Sequence, residues 1–192
     1  MLSAISTQSA QNDSMRRELH DILVRRSICR GEFELASGGK SNVFFDVKMT
    51  LLDPDGINLA ANLILDILEA DPVDAVGGLI IGACPLVSAL SVKSLKRRRA
   101  PRSFFYVRKE PKPRGTKKLI EGNLEEGSKV VIVDDVTTEG NSALLAVKAV
   151  RELRCEVSKV ITVVDRCQGA ESNFAQAGIQ LVSLFKITDF PI

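Results

Sequence analysis

The chain is predicted to be an α/β protein, built on a mostly parallel, doubly wound sheet flanked by helices and carrying a small N-terminal appendage. Three observations predict this. From Val73 onward, apolar strands alternate with helical segments, the rhythm of β-α-β units. The run Val130, Val131, Ile132 and Val133 is continuously apolar, as a strand covered on both faces requires. The 192 residues are 45% apolar and 26% charged, and single domains run to roughly 100 to 200 residues.

The first 13 residues are rich in Ser, Gln and Asn without an apolar run, so they are expected to form a disordered tail and not a signal peptide. Residues 14–192 are expected to form one domain. Ser14, followed by Leu19, Ile22 and Leu23, reads as an N-cap and the apolar face of a helix ending near Arg26. In the β region that follows, Phe33 and Leu35 alternate with polar neighbours, Ser37, Gly38 and Gly39 turn the chain, and residues 43–47 form a second strand. Asp53 and Pro54 supply an N-cap and a first-turn proline for a helix burying Ile57, Ala61, Ile64, Leu65 and Leu68. Strands are then expected at 73–81, 103–107, 129–133, 159–164 and 180–184, with helices at 85–97, 142–153 and 170–177.

Bulk properties exclude several function classes. Lys and Arg number 26 against 24 Asp and Glu, a formal net charge of +2, which gives no overall drive toward nucleic acid or a membrane surface. Anion binding must therefore be local. Cys29, Cys84, Cys155 and Cys167 share no CxxC spacing, so no zinc site is expected, and they read as reduced thiols of a cytoplasmic protein. Cys84 and Cys155 have the apolar surroundings of buried packing residues. His20 is the only histidine, and a Ser/His/Asp triad would have to use it without a nucleophile elbow. The longest weakly polar stretch, 76–90, is broken by Gly82 and Pro85 and is shorter than the roughly 20 residues of a membrane helix.

In such sheets ligands bind at the carboxyl ends of the strands. The strand from Lys129 ends in Asp134 and Asp135, followed by Val136, Thr137, Thr138, Glu139, Gly140, Asn141 and Ser142. Hydroxyls, a flexible glycine and successive backbone N–H groups lead into a helix start, which carries about half a positive charge and can hold a phosphate. The acidic pair one step away suits ribose hydroxyls or a Mg2+-linked diphosphate sugar. Together the two describe a ribose 5-phosphate, provided that the Glu139 carboxylate points outward. The loop lacks the lysine of a P-loop, the G-x-G-x-x-G of a dinucleotide fold and the acidic ladder of an EF-hand.

The densest positive stretch, residues 108–118, also follows a strand, and Pro111, Pro113 and Gly115 forbid a helix there. A cationic loop at the binding edge can close over a diphosphate leaving group and neutralise its growing charge.

On these residues the chain resembles the type I phosphoribosyltransferases, whose loop usually reads two Asp, two variable residues, Thr, a variable residue, Gly and a small residue. The resemblance implies the type I phosphoribosyltransferase fold, with a hood contributed by about residues 14–50. It implies ribose contacts from Asp134 and Asp135, and a loop from Val136 through Thr137, Thr138, Glu139, Gly140 and Asn141 to Ser142 around the 5′-phosphate of phosphoribosyl diphosphate (PRPP). Mg2+ would be held mainly through PRPP and water near Asp134 and Asp135.

The basic loop, followed by Ile120, Glu121 and Gly122, is similar to the lid of the orotate phosphoribosyltransferase family. By that resemblance Lys109 acts in its own subunit, while Arg108, Lys112 and Arg114 reach the diphosphate in the neighbouring subunit of a homodimer, and Lys112, Asp135 and Arg108 carry catalysis. Residues 35–46 resemble the hood segment that places an aromatic pair on the pyrimidine, here Phe44 and Phe45. Strand neighbours face opposite ways, so one of the two is expected in the core. Residues 77–86 resemble the diphosphate loop, where Gly82 and Ala83 let backbone N–H groups approach the anion. Asp165-Arg166 matches the family's Asp-Arg, whose arginine binds the orotate carboxylate with Thr138 nearby, and a guanidinium fork suits a planar carboxylate.

The implied reaction converts PRPP and orotate to orotidine 5′-monophosphate and pyrophosphate, in pyrimidine biosynthesis. Its partners are small molecules, with neither nucleic acid nor membrane involved. Two alternatives stay open: a phosphoribosyltransferase for another base, if Ala36 and Arg114 reshape the pocket, and a non-catalytic PRPP-sensing regulator.

Overall fold

The computed structural model describes residues 2–34, 40–111 and 118–192, and the side chains within 10–33, 44–111 and 118–192. The N-terminal part comprises α1 (Leu2–Arg26), an antiparallel pair β1 (Ile28–Glu34) and β2 (Lys40–Phe45), and a short helix α2 (Lys48–Leu51). Then follow α3 (Pro54–Ala70), β3 (Ala75–Leu79), α4 (Cys84–Ser94), β4 (Ser103–Val107), β5 (Ile120–Gly122), β6 (Lys129–Thr137), α5 (Asn141–Arg151), β7 (Glu156–Asp165), α6 (Ala170–Gln176) and β8 (Gln180–Lys186).

The main sheet has the order β5-β4-β3-β6-β7-β8. Five strands are parallel, and the edge strand β5 runs antiparallel to β4. The chain moves outward from β3 to β4 and then returns to add β6 on the other side of β3. That reversal opens a crevice at the carboxyl ends of β3 and β6, where doubly wound sheets bind ligands.

Both faces of the sheet are covered, which explains the unbroken apolar run in β6. Val131 and Val133 join Leu19, Leu23, Ile64, Leu65, Leu86 and Leu90 on one side, while Val130 and Ile132 join Phe105, Val147, Val150 and Phe174 on the other. Gly77 and Gly78 let β3 sit tightly between its neighbours. A Cβ on Gly77 would meet the Phe105 ring, and one on Gly78 the Val133 carbonyl and the Ala83 methyl.

Asp53 caps α3 as its sequence implies, its Oδ1 accepting from the Asp55 and Gly56 N–H groups at 3.1 Å each. Ala61, Ile64, Leu65 and Leu68 are buried on that helix, and Ile57 packs half-buried against them. Cys155 is buried, whereas Cys84 is half-buried in the first turn of α4. No helix among the described residues is long and apolar enough to cross a membrane.

Several elements differ from the sequence expectation. α1 begins at Leu2, so Ser14 lies inside it instead of capping it, and the segment expected as a disordered tail is helical. Residues 2–13 contain neither Gly nor Pro, so nothing local stops a helix anchored by Leu19 and Leu23 from extending backward. β6 runs four residues past Val133 to Thr137, because Val136 and Thr137 go on pairing with Val164 and Asp165. The short α2 and β5 were not anticipated, being too brief to show a periodicity. The turn expected at Ser37 to Gly39 and the neighbouring Leu35 and Ala36 lie outside the described residues.

Gly56 gives a test of packing against propensity. Gly to Ala inside a helix normally stabilises by roughly 0.5–1 kcal/mol, but a Cβ here would run into the Thr50 carbonyl oxygen where α2 crosses α3. Gly56→Ala should therefore destabilise, by about 1–3 kcal/mol, read as a lower melting temperature in calorimetry. A raised melting temperature would show that α2 can move aside.

Candidate active site

β6 carries the acidic pair to the mouth of the crevice and buries it there, Asp134 at 6% and Asp135 at 4% exposure. Each carboxylate accepts a backbone N–H: Asp135 N donates to Asp134 Oδ1 at 3.1 Å, and Val136 N to Asp135 Oδ1 at 2.9 Å. Burial first, and the adjacent Asp135 second, push the Asp134 carboxyl up to about 8. The loop after β3 lies directly opposite. A Cβ on Gly82 would stand 2.5 Å from Asp135 Oδ1 and 3.1 Å from Asp134 Oδ1, so only glycine lets the backbone come this close. The following Ala83 is fully buried at the N-cap of α4.

A cation from the N-terminal part meets the same carboxylates. Lys48 Nζ lies 3.2 Å from Asp135 Oδ2 and 3.3 Å from Asp46 Oδ1. Burial works against the ammonium, yet the two carboxylates outweigh it and hold the Lys48 pKa above its usual value.

Past Val136, Thr137 is buried and its Oγ1 has no hydrogen-bond partner among the described residues, while Thr138 is exposed. Glu139 points outward: its Oε2 accepts from Asn141 Nδ2 at 2.9 Å, and both residues are exposed. Gly140 adopts the left-handed conformation (φ 85°), and a Cβ on it would strike the Phe174 ring at 2.6 Å. Asn173 Nδ2 donates to the Glu139 carbonyl at 2.8 Å and holds the bend. No side chain caps α5, so its first N–H groups, at Asn141 and Ser142, face the loop as an anion-binding helix start.

The end of β7 is stapled to this loop. Arg166 N donates to the Thr137 carbonyl at 2.9 Å, and Ala170 N to the Thr138 carbonyl at 3.1 Å. Asp165 is buried and accepts from Cys167 N at 2.9 Å. Arg166 Nε is buried without a hydrogen-bond partner among the described residues.

The base of the basic loop is closed by the β4–β5 pairing, Val107 opposite Ile120, and Arg108 N donates to the Leu119 carbonyl at 2.8 Å. Arg108 Nη1 lies 3.8 Å from Glu121 Oε1, and Lys109 is exposed. Lys112 and Arg114 lie outside the described residues. Of the aromatic pair, Phe44 is 43% exposed with its ring 5.5 Å from that of Phe33. Phe45 is in the core, 4.8 Å from the Phe190 ring, which removes it from the expected base-contacting set.

One crevice thus brings together Gly82, Ala83, Asp134, Asp135, Thr137 and the backbone at Arg166. A cavity of about 850 Å³ lies elsewhere, at the amino ends of β3, β4 and β6 beside Asp74, Arg102, Ser103 and Ser128, and takes in none of these residues. Sequence reasoning did not foresee the pairing of Lys48 with Asp135. It also gave Glu121 no contact with Arg108. Neither pairing carries a local signal, since each depends on how distant strands are brought together.

Residues 53–177 match the model of the phosphoribosyl transferase domain. An orotate phosphoribosyltransferase of Bradyrhizobium diazoefficiens is 46% identical over 179 residues, covering 91% of this chain and 95% of the relative. The crystal structure of Mycobacterium tuberculosis orotate phosphoribosyltransferase in complex with Fe(III) dicitrate superposes with a TM-score of 0.82 at 33% identity, covering 93% of this chain and 99% of that one. The Mycobacterium tuberculosis enzyme in complex with PRPP gives a TM-score of 0.78 at 32% identity, with the same coverages.

The buried acidic pair has a consequence for stability. A carboxyl raised from 3.8 to about 8 binds its proton more tightly in the folded than in the unfolded chain. Its contribution to stability is therefore present at the acidic end of that window and lost as pH rises through it. In chelator-treated protein, Asp134→Asn should gain stability relative to wild type between about pH 4 and about pH 8. Parallel stability curves for the two proteins would refute this assignment.

Proposed function

The chain belongs to the phosphoribosyltransferase family, among its orotate phosphoribosyltransferases, and we propose that its crevice transfers the 5-phosphoribosyl group of PRPP to orotate, with the residues in the following roles. Asp134 and Asp135 hold the ribose hydroxyls. The loop 137–142 and the start of α5 hold the 5′-phosphate through backbone N–H groups, hydroxyls and the helix dipole. The outward turn of Glu139 supports this, because it keeps the carboxylate off the anion. The diphosphate lies against the backbone at Gly82 and Ala83, where the missing Cβ gives room.

The observation that carries the orotate reading is Arg166. Its buried Nε has no hydrogen-bond partner among the described residues, and its backbone is stapled to the loop that holds the ribosyl donor. A guanidinium so placed suits a planar carboxylate, with Thr138 and the exposed Phe44 as neighbours of the base. Orotate N1 attacks the anomeric carbon as the bond to the diphosphate oxygen breaks. The bonding pair leaves with pyrophosphate, and the N1 proton is lost to solvent. No side chain acts as nucleophile; catalysis comes from positioning and from neutralising charge on the leaving group.

That neutralisation is the task of the lid. Lys109 acts in its own subunit, and Arg108, Lys112 and Arg114 act across the interface of a homodimer. Exposed Val92 at 70% and Leu95 at 87%, on and just after α4, supply apolar surface for such an interface. Mg2+ would accompany the diphosphate, held by PRPP oxygens and water near Asp134 and Asp135, where it would offset negative charge. The four free cysteines accord with a cytoplasmic setting.

Pyrophosphate release with PRPP, Mg2+ and a panel of bases should show turnover with orotate and none with uracil or adenine. Turnover confined to uracil or a purine would sink the orotate assignment, and none with any base would favour a regulator. Arg166→Leu should raise the orotate KM ~10-fold or more, the equivalent of one charge-assisted hydrogen bond, and leave the PRPP KM within ~3-fold. Lys112→Ala should lower kcat far more than it weakens PRPP binding, and equal losses in both would remove it from the lid chemistry.

A further inference from the structure

Lys48 stands at the junction of the N-terminal part and the sheet. Its backbone is held on every side. Lys48 N donates to Asp46 Oδ1 at 3.1 Å, and Asp46 N donates to the Ser27 carbonyl at 2.8 Å. Val47, Thr50 and Leu51, its neighbours along α2, are buried. The Thr50 hydroxyl lies 2.8 Å from that of Ser27, and Gly56 of α3 packs so tightly against the Thr50 carbonyl that no Cβ would fit. From this fixed base the four-carbon side chain crosses to Asp135, 87 residues away in sequence.

The contact is asymmetric. The Lys48 side chain is 44% exposed, while that of Asp135 is 6% exposed. An ion pair with one partner so open to water contributes little to folding, because solvent screens it and two side chains must be ordered. It does constrain direction. One Asp135 oxygen is taken by the Val136 N–H and the other by the ammonium, so the carboxylate plane is set from both sides. Asp46 fixes the lysine in turn, at 3.3 Å. Asp134, the other member of the pair, has no contact with this ammonium within ion-pair distance among the described residues.

Building on the donor site proposed above, we propose that Lys48 is a positioning residue for the phosphoribosyl donor: a cation carried by the N-terminal part that holds the Asp135 carboxylate in the orientation the ribose hydroxyls need, itself held by Asp46. The relay Asp46–Lys48–Asp135 makes the N-terminal part a component of the donor site as well as a cover for the base. Orotate, bound at the Arg166 end, does not depend on it.

Steady-state kinetics of the purified full-length protein test this with Lys48→Met, which keeps the length of the side chain and removes its charge, and with Lys48→Arg. Lys48→Met should raise the PRPP KM by ~10-fold or more, lower kcat, and leave the orotate KM at saturating PRPP within ~2-fold. Lys48→Arg should restore the PRPP KM to within ~3-fold of wild type. In an Asp135→Asn background, Lys48→Met should add little further loss, because both substitutions break the same relay. A wild-type PRPP KM in Lys48→Met, a matching rise in the orotate KM, or full additivity with Asp135→Asn would each overturn the proposal. Should Lys48→Met fail to fold, Asp46→Asn takes its place and should show the same split in milder form; an unchanged PRPP KM there counts against the relay. The reading of the whole site fails separately, through a wild-type protein that gives no turnover with PRPP and orotate.

Discussion

Two carboxylates buried side by side at the end of β6 are the constraint around which the rest of the molecule is arranged. Adjacent acids withdrawn from water are costly unless each finds donors or a counter-charge. Asp134 and Asp135 each take a backbone N–H, and Asp135 takes Lys48 as well. Asp134 meets the remaining demand by holding its proton, its pKa pushed up mainly by burial. The pair thus sets one acid that favours its neutral form beside one held by an ammonium and a backbone N–H. A diol, whose two hydroxyls both donate and accept, is a natural match for that arrangement.

Glycine makes the approach possible. At Gly77 and Gly78 the central strands close to a distance that a side chain would forbid, and at Gly82 the loop after β3 lies within reach of both acids. A side chain at Gly82 would push against both acids. The crevice is therefore made by packing in the sheet, and its lining follows from where β3 and β6 end.

Strongly patterned features were readable in the chain itself. The unbroken run from Val130 to Val133 announced a strand covered on both faces, Asp53 with Pro54 announced a helix start, and the order of residues from Asp134 to Ser142 announced a junction of strand, loop and helix. Successive residues of a strand face opposite ways, so only one of Phe44 and Phe45 is available, and packing against Phe190 decides which. The features that escaped arise from contacts distant in sequence. The start of β6's last turn of pairing, Val136 with Val164 and Thr137 with Asp165, depends on β7. The pairing of Lys48 with Asp135 depends on a four-residue helix too short to mark the sequence. The backward extension of α1 reflects an absence of stop signals, which weighs less in a reading than the presence of a cap.

The described residues of the site stand on two different footings. The acidic pair, Gly82 and the Thr137 bend belong to strands and helix ends packed in two cores, which hold their geometry in place. The basic loop has a different footing. Its two ends are joined by β4 and the three-residue β5, the one antiparallel strand of the sheet and one of its edges. Antiparallel pairing returns the chain to its starting point within a few residues, whereas a parallel return would require a crossover helix. The loop is thereby hung from a narrow base at the rim of the crevice, with Arg108 resting near Glu121.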